Sequence, residues 1–403
     1  MAAQDTASPL PEAGARRGAL TITAAYYLAF VVLGLTTASF GPTLPGLAEH
    51  VRATIGQISY LFVLRSLGYL TGSFTAGRLY DRVRGHPVMA AMILALILIM
   101  AVIPIIPALW LLAALLFCLG AAEGVLDVGG NTLLVWVHRD RIAPFMNGLH
   151  FFFGLGAFFS PIIIALTVER TGDIYWAYWS LALLMIPSAA WLARLRSPSP
   201  IASAGAAPAR PALPVLIALI AFFDFLYVGA EVSFGGWVYT YATALGLGTP
   251  ATAAYLTSGF WGALTAGRLA SIPLGARFSP RSILLADLLI VLAGLGLILA
   301  LPGSFAALWA GAVAVGLGMA SVFPTLLNLA GSHMTITGFV TSWFFVGSSL
   351  GGMTLPWIIG QLFEPVGPKS AMLAILISIL LCLLVFAAVT VYTRRAEADP
   401  RRS

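Results

Sequence analysis

Charge is what this sequence has least of. Asp, Glu, Lys and Arg make up 9% of its 403 residues, against roughly 25% in soluble globular domains. Hydrophobic residues make up 60%. A fold in water cannot cover that much apolar surface, which leaves the lipid bilayer as the expected solvent. Cysteine is scarce too. Cys118 and Cys382 both fall inside apolar runs, which excludes a disulfide framework and reads as two small buried hydrophobes. Walker loops, Cys-x-x-Cys pairs and His-Glu-x-x-His helices are absent. The chain is therefore expected to be no enzyme, to hold no cofactor or metal, and to draw on an ion gradient rather than on ATP. The formal charge is +6, yet the arginines punctuate apolar segments instead of forming one patch. That argues against nucleic acid as a partner.

What the chain has in abundance is apolar runs of about twenty residues or more. Twelve are expected, over 19–46, 54–79, 87–105, 108–137, 142–168 and 174–193, then 213–245, 250–272, 280–301, 305–330, 336–363 and 369–392. Twelve spans and a cytoplasmic N-terminus put 17 of the 21 basic residues on the cytoplasmic side; the exceptions are Arg52, Arg170, Lys369 and the intramembrane Arg65. Missing one span would scramble that asymmetry. Residues 1–18 and 393–403 are expected as cytoplasmic tails. The polar, Pro-, Ala- and Ser-rich stretch 194–212 is expected to link two bundles, 19–193 and 213–392.

A repeat supports the division. Residues 72–79 read GSFTAGRL and residues 262–269 read GALTAGRL. Ser39-Phe40-Gly41 is echoed by Ser233-Phe234-Gly235, and Pro161 by Pro356. Half-chain repeats in a polytopic protein point to a transporter built from two parallel bundles. The segment after the second span carries Gly77, Arg78, Asp81, Arg82 and Gly85. This resembles the G-x-L-x-D-R signature of the major facilitator superfamily, between its helices 2 and 3. The resemblance implies an all-α fold of twelve transmembrane helices in two pseudo-symmetric bundles, with a loop that latches the cytoplasmic gate. Gly77 is expected to let helices approach closely, and Asp81 to pair with an arginine or face a helix N-terminus. The second copy keeps Gly267 and Arg268 but has Ser271 in place of the acid.

The candidate chemistry lies in embedded charges. Glu123, Asp127 and Asn131 are spaced i, i+4, i+8 and share one helical face. A charge at the bilayer centre costs roughly 2.5–3.5 kcal/mol on insertion scales. Two acids on one face therefore form either a proton or cation site lining a cavity, or a structural pair with arginine. Arg65 is the expected counter-charge, to Asp127 or Glu123, or else an anion-binding group. Glu231 lies near the middle of the seventh span, seven residues after Asp224, with Phe234, Trp237 and Tyr241 following on its side. An acid bordered by aromatics suits a sugar, whose hydroxyls need acceptors and whose apolar faces stack on rings. Asn131, His150, Glu231, Trp237 and Trp261 are the expected substrate contacts. His150 reads equally as a cavity residue, a relay or a helix contact, and Asp287 is near enough to its helix end to snorkel.

Longer segments sharpen the resemblance. Leu126-Asp127-Val128-Gly129-Gly130-Asn131, Leu149-His150-Phe151 and Phe225 to Ser233 resemble the fucose permease and sodium-dependent glucose transporter branch. In the fucose permease pattern the helix 4 acid, here Asp127, is tied to proton coupling. The helix 1 acid of that pattern has no counterpart among Thr36, Thr37, Ser39 and Thr43. The resemblance implies a monomeric inner-membrane carrier that takes a small polar solute, a monosaccharide first, together with H+ or Na+. Asp127, Glu123 and Arg65 would couple the ion. The alternative is an exporter of drugs or metabolites by proton antiport.

Overall fold

Apolar runs separated by short polar joints fold into helices. The computed structural model describes residues 10–199 and 213–398, and no strand occurs among them. The first half contains α1 (Leu10–His50), the single turn α2 (Ile55–Ile58), α3 (Tyr60–Arg82), α4 (Gly85–Val102), α5 (Leu109–His138), α6 (Ile142–Thr171) and α7 (Ile174–Arg194). The second contains α8 (Pro214–Ala244), α9 (Pro250–Gly275), α10 (Pro280–Ala300), α11 (Phe305–Met319), α12 (Val322–His333), α13 (Gly338–Val366) and α14 (Lys369–Ala398). With α2–α3 and α11–α12 each forming one crossing, the count among the described residues is twelve. Helix α1 already starts at Leu10, inside the stretch expected as a tail. The rest of that tail, residues 200–212 of the linker and residues 399–403 lie outside the described residues.

The halves repeat each other's packing. α1 packs on α6 as α8 packs on α13, α3 on α5 as α9 on α11, and α4 on α7 as α10 on α14. Nine segments among the described residues are apolar and long enough to cross a membrane by composition. The three crossings that fall short are α3, α9 and α13. Each packs against the other half, α3 on α13 and α9 on α6. A helix that faces a protein seam rather than lipid can carry polar side chains, because partners across the seam satisfy them. Cys382 is buried as expected, whereas Cys118 is exposed on the outer surface of α5.

Two ends of the bundle can be told apart. At the arginine end, the Tyr26 hydroxyl lies 2.7 Å from Nε2 of His86, the Thr23 hydroxyl 2.6 Å from Nε2 of His138, and the His86 amide donates to Ser197 at 2.9 Å. All these contacts stay within the first half and the start of the linker that leaves it. At the opposite end the halves are tied together. Nε2 of Gln361 on α13 donates to the Gly56 carbonyl at 2.7 Å and to the Ser59 hydroxyl at 3.1 Å. The Ile55 amide donates to Glu364 at 3.0 Å. A capping box between Thr54 and Gln57 fixes α2 for these bonds. Trp237 completes the closure. It is fully buried, stacks between Phe62 and Phe363, and donates from Nε1 to the Pro356 carbonyl at 3.1 Å.

Two features depart from expectation. The 305–330 span is not one helix. It breaks after Met319, because Pro324 has no N–H to offer the carbonyl four residues back. The expected gating loop is mostly helix: Gly77, Arg78, Asp81 and Arg82 all belong to α3, leaving only Val83 and Arg84 as connection.

Candidate functional site

The site begins with glycine. A Cβ placed on Gly68 of α3 would collide with the backbone of Phe117 on α5, and one on Gly120 would collide with the backbone of Arg65. Helices α3 and α5 therefore touch along their backbones, as small-residue interfaces allow. This sets residues 65 and 69 of one helix against 123 and 127 of the other, one helical turn apart on each.

The first rung is an ion pair. Arg65 donates from Nε to Glu123 Oε2 at 2.9 Å and from Nη2 to Oε1 at 2.8 Å. The planar fork meets the carboxylate with two parallel bonds. Nη2 also donates to the Thr37 hydroxyl of α1 at 3.1 Å. Both partners are well covered, with side chains 15% and 3% exposed. Of the alternatives open to Arg65, the structure thus takes Glu123, and Thr37 takes the second N–H of Nη2.

The second rung carries no cation. Tyr69 donates its hydroxyl to Asp127 Oδ2. Asn131 donates from Nδ2 to Oδ1 at 3.0 Å and to the Asp127 backbone carbonyl at 3.0 Å. Asp127 makes no ion pair among the described residues, and it stays partly exposed. Each of its oxygens keeps a lone pair beyond the one these donors occupy. Glu123 is committed to arginine, so Asp127 is the carboxyl of this pair without a cation partner among the described residues. Sequence spacing brought out the two acids and Arg65. It did not bring out Tyr69, although its position four residues after Arg65 was the available signal.

Across the seam, Glu231 bonds the hydroxyl of Tyr227, one turn earlier on α8. The same hydroxyl lies 2.7 Å from the carbonyl of Met319, the last residue of α11 before the break. Within the break Ser321 donates to Asp287, which is buried rather than reaching for the surface. Ser66 of α3 and Val232 of α8 both approach Gly352 of α13, so the two clusters flank one seam.

The remaining candidates sort plainly. Trp261 is 5% exposed, stands edge-on to Phe153 of α6, and its buried Nε1 has no acceptor among the described residues. It is a free donor at the α6–α9 seam. His150 is exposed and edge-on to Phe30. Trp237 does not join them, since its ring and its N–H are both spent in the closed opposite end. Gly77 has open space around it, so close approach does not explain it, whereas a Cβ on Gly85 would meet Leu133. Asp81 and Arg82 are exposed, and Asp81 has no ion-pair partner among the described residues. Arg268 is half-buried on α9. The stretch Gly347 to Gly351 fits a G-x-S-x-G spacing, but it lies inside α13 and its glycines pack on α8. A nucleophile elbow needs a strand-to-helix turn.

The comparisons with known proteins agree with this architecture. The sequence model of the Major Facilitator Superfamily matches residues 26–356. Sodium-dependent glucose transporter 1 of Xenopus laevis is 31% identical over 410 residues, covering 92% of this chain and 83% of the relative. Sodium-dependent glucose transporter 1A of Mus musculus is 29% identical over 374 residues, covering 83% and 88%. A crystal structure of the nucleoside transporter NupG superposes with a TM-score of 0.71 at 13% identity, covering 93% of this chain and 99% of that one.

Proposed function

The chain belongs to the major facilitator superfamily, and we propose that this membrane transporter is a secondary active symporter of a monosaccharide, driven by a cation bound at Asp127. The observation that carries the reading is the split between the two acids of α5. Glu123 is neutralised by Arg65. Asp127 is held only by the neutral donors Tyr69 and Asn131. A carboxyl oriented by neutral donors can take up and release a proton or a sodium ion without breaking an ion pair, and we assign the proton. The sugar half of the proposal draws on the names of the relatives and on Trp261. An indole N–H with no acceptor, beside a second ring from Phe153, suits a sugar hydroxyl next to an apolar sugar face. Asn131, His150 and Glu231 supply further polar contacts. We place the protein in the inner membrane as a monomer, with the arginine end and both termini in the cytoplasm.

Uptake of labelled monosaccharides into proteoliposomes tests the reading, first under an inward proton gradient and then under a sodium gradient. One sugar is expected to accumulate under the proton gradient. Asp127→Asn is expected to abolish accumulation while leaving exchange at equal sugar concentrations. Accumulation under sodium alone would reassign the ion. Full gradient-driven uptake by Asp127→Asn would remove Asp127 as the coupling site. No uptake of any sugar would turn the search to proton-driven export.

A further inference from the structure

The break between α11 and α12 gathers oxygen atoms that coupling at Asp127 does not use. Three of them meet at Tyr227. Its hydroxyl lies 2.7 Å from the Met319 carbonyl and within hydrogen-bond reach of a Glu231 carboxyl oxygen. A backbone carbonyl can only accept. A phenol has one proton and can serve one of the two contacts. If Tyr227 points its proton at Met319, an ionised Glu231 faces the phenol oxygen with no hydrogen between them. If it points at Glu231, the Met319 carbonyl is left against a lone pair, at a break where its own helix provides no amide. Both contacts form together only when a second proton is present, and Glu231 is the group that can bring it. The first half has no such deficit: the Tyr69 hydroxyl donates to one acceptor, Asp127, and no backbone carbonyl competes for its proton among the described residues.

We propose that Glu231 is a second proton-binding carboxyl of this transporter, protonated while Tyr227 bridges it to the broken helix. The protonated carboxyl donates to the phenol oxygen, and the phenol donates to Met319. When Tyr227 and the α11 end part, the carboxyl O–H bond breaks, the proton leaves to water, and the carboxylate remains. The groups that face this bridge are few. Arg268 of α9 and Asp287 of α10 act on Tyr227 electrostatically. Glu231 forms no ion pair with Arg268 among the described residues. Helix α1 between Gly18 and Ala48, α13 before Glu364 and α14 between Ser370 and Thr393 contain no charged residue. A carboxylate at this half-buried position would thus lack the ion-pair cation that Glu123 has, and an embedded charge without a partner is costlier than a paired one. A helix broken beside embedded acids is a recurring place for coupling ions in secondary transporters. The proposal deepens the coupling scheme above, but the proton on Glu231 can be observed without any transport.

Infrared spectra of the purified full-length protein at neutral pH read the carbonyl stretch of protonated carboxyls, which ionised carboxylates lack. Wild type, Glu231→Gln and Tyr227→Phe are compared. Glutamine keeps a donor for the Tyr227 oxygen, so the fold is expected to survive, as a single symmetric peak in size-exclusion chromatography would report. The protonated-carboxyl band is expected to lose one group's intensity in Glu231→Gln. In Tyr227→Phe the same intensity is expected to fall, because the bridge that holds the proton is gone. An undiminished band in Glu231→Gln overturns the proposal. So does a Glu231 band that appears only when sodium is removed from the buffer, since the carboxylate then holds sodium. A Glu231 band in a protein that moves no sugar under any gradient leaves this proton in place and defeats the sugar reading instead.

Discussion

The two halves share a fold and differ in how they handle embedded acid. Aligned on Ser39-Phe40-Gly41 and Ser233-Phe234-Gly235, Thr37 of α1 falls at the position of Glu231 of α8. Thr37 accepts from an arginine that already neutralises Glu123. Glu231 makes no ion pair with an arginine among the described residues, and bonds a tyrosine that also caps a broken helix. The repeat thus preserves helix packing and lets side-chain chemistry diverge. Pairing with arginine fixes a charge in place, which suits a structural element. Bonding to a phenol leaves the acid able to change its protonation, which suits a moving one. Asp127, bonded to Tyr69, sits beside the fixed pair and resembles Glu231 more than it resembles Glu123.

The sharpest way to break this comparison is to unpair the fixed rung. Arg65→Ala leaves Glu123 buried without its cation. Breaking a buried pair from one side costs roughly 3–5 kcal/mol, so we expect a large drop in the thermal midpoint of the detergent-solubilised protein. The double variant Arg65→Met, Glu123→Leu removes both charges and is expected to recover most of that loss. If Arg65→Ala melts like wild type, the pair is not the fixed element we describe. If the double variant is no better than the single, the cost came from packing rather than from the stranded charge.

Much of this was legible beforehand, for identifiable reasons. Long apolar runs announce bilayer crossings, and the basic asymmetry fixes their number even where composition is weak, as in α3, α9 and α13. Embedded acids stand out because the bilayer makes them expensive. The partners did not stand out. Tyr69 and Tyr227 are ordinary aromatics until a backbone contact between glycines, or a break after Met319, brings an acceptor to their hydroxyls. Trp237 shows how little helical spacing says about surroundings: an aromatic read as a substrate contact from its spacing to Glu231 is packed at the closed end. The signature segment kept its sequence but not its expected shape, since nothing in Gly77 to Arg82 stops a helix and α3 continues through it.

Removing one hydroxyl probes Asp127, the proposed coupling acid, next. Tyr69→Phe takes from Asp127 a donor and leaves Asn131. A hydrogen bond to a charged group contributes about 1.5–3 kcal/mol. Because that bond favours the ionised carboxyl, its loss is expected to favour proton loading. The pH dependence of proton-driven uptake is then expected to move toward higher pH in Tyr69→Phe, while Arg65→Lys, which keeps the cation on Glu123, moves it less. A profile that moves equally in both would mean that the two rungs titrate as one unit, and the distinction between Glu123 and Asp127 would fail.

The smallest expected effect concerns what the halves still have in common, the seam they close at the opposite end. Gln361→Ala removes the two bonds to Gly56 and Ser59 but leaves Glu364 on Ile55. A typical net hydrogen-bond contribution is about 1 kcal/mol, so each bond lost is expected to raise the population open toward that end roughly fivefold. Cysteines placed at Ser66 and Val232, in a background lacking Cys118 and Cys382, report on each half separately. Both are expected to react faster with a membrane-impermeant thiol reagent added at the opposite end when Gln361 is alanine. They should speed up together, because Ser66 and Val232 approach the same Gly352 of α13. If only one accelerated, the clusters would open independently, and the two kinds of acid would belong to two gates rather than to one seam.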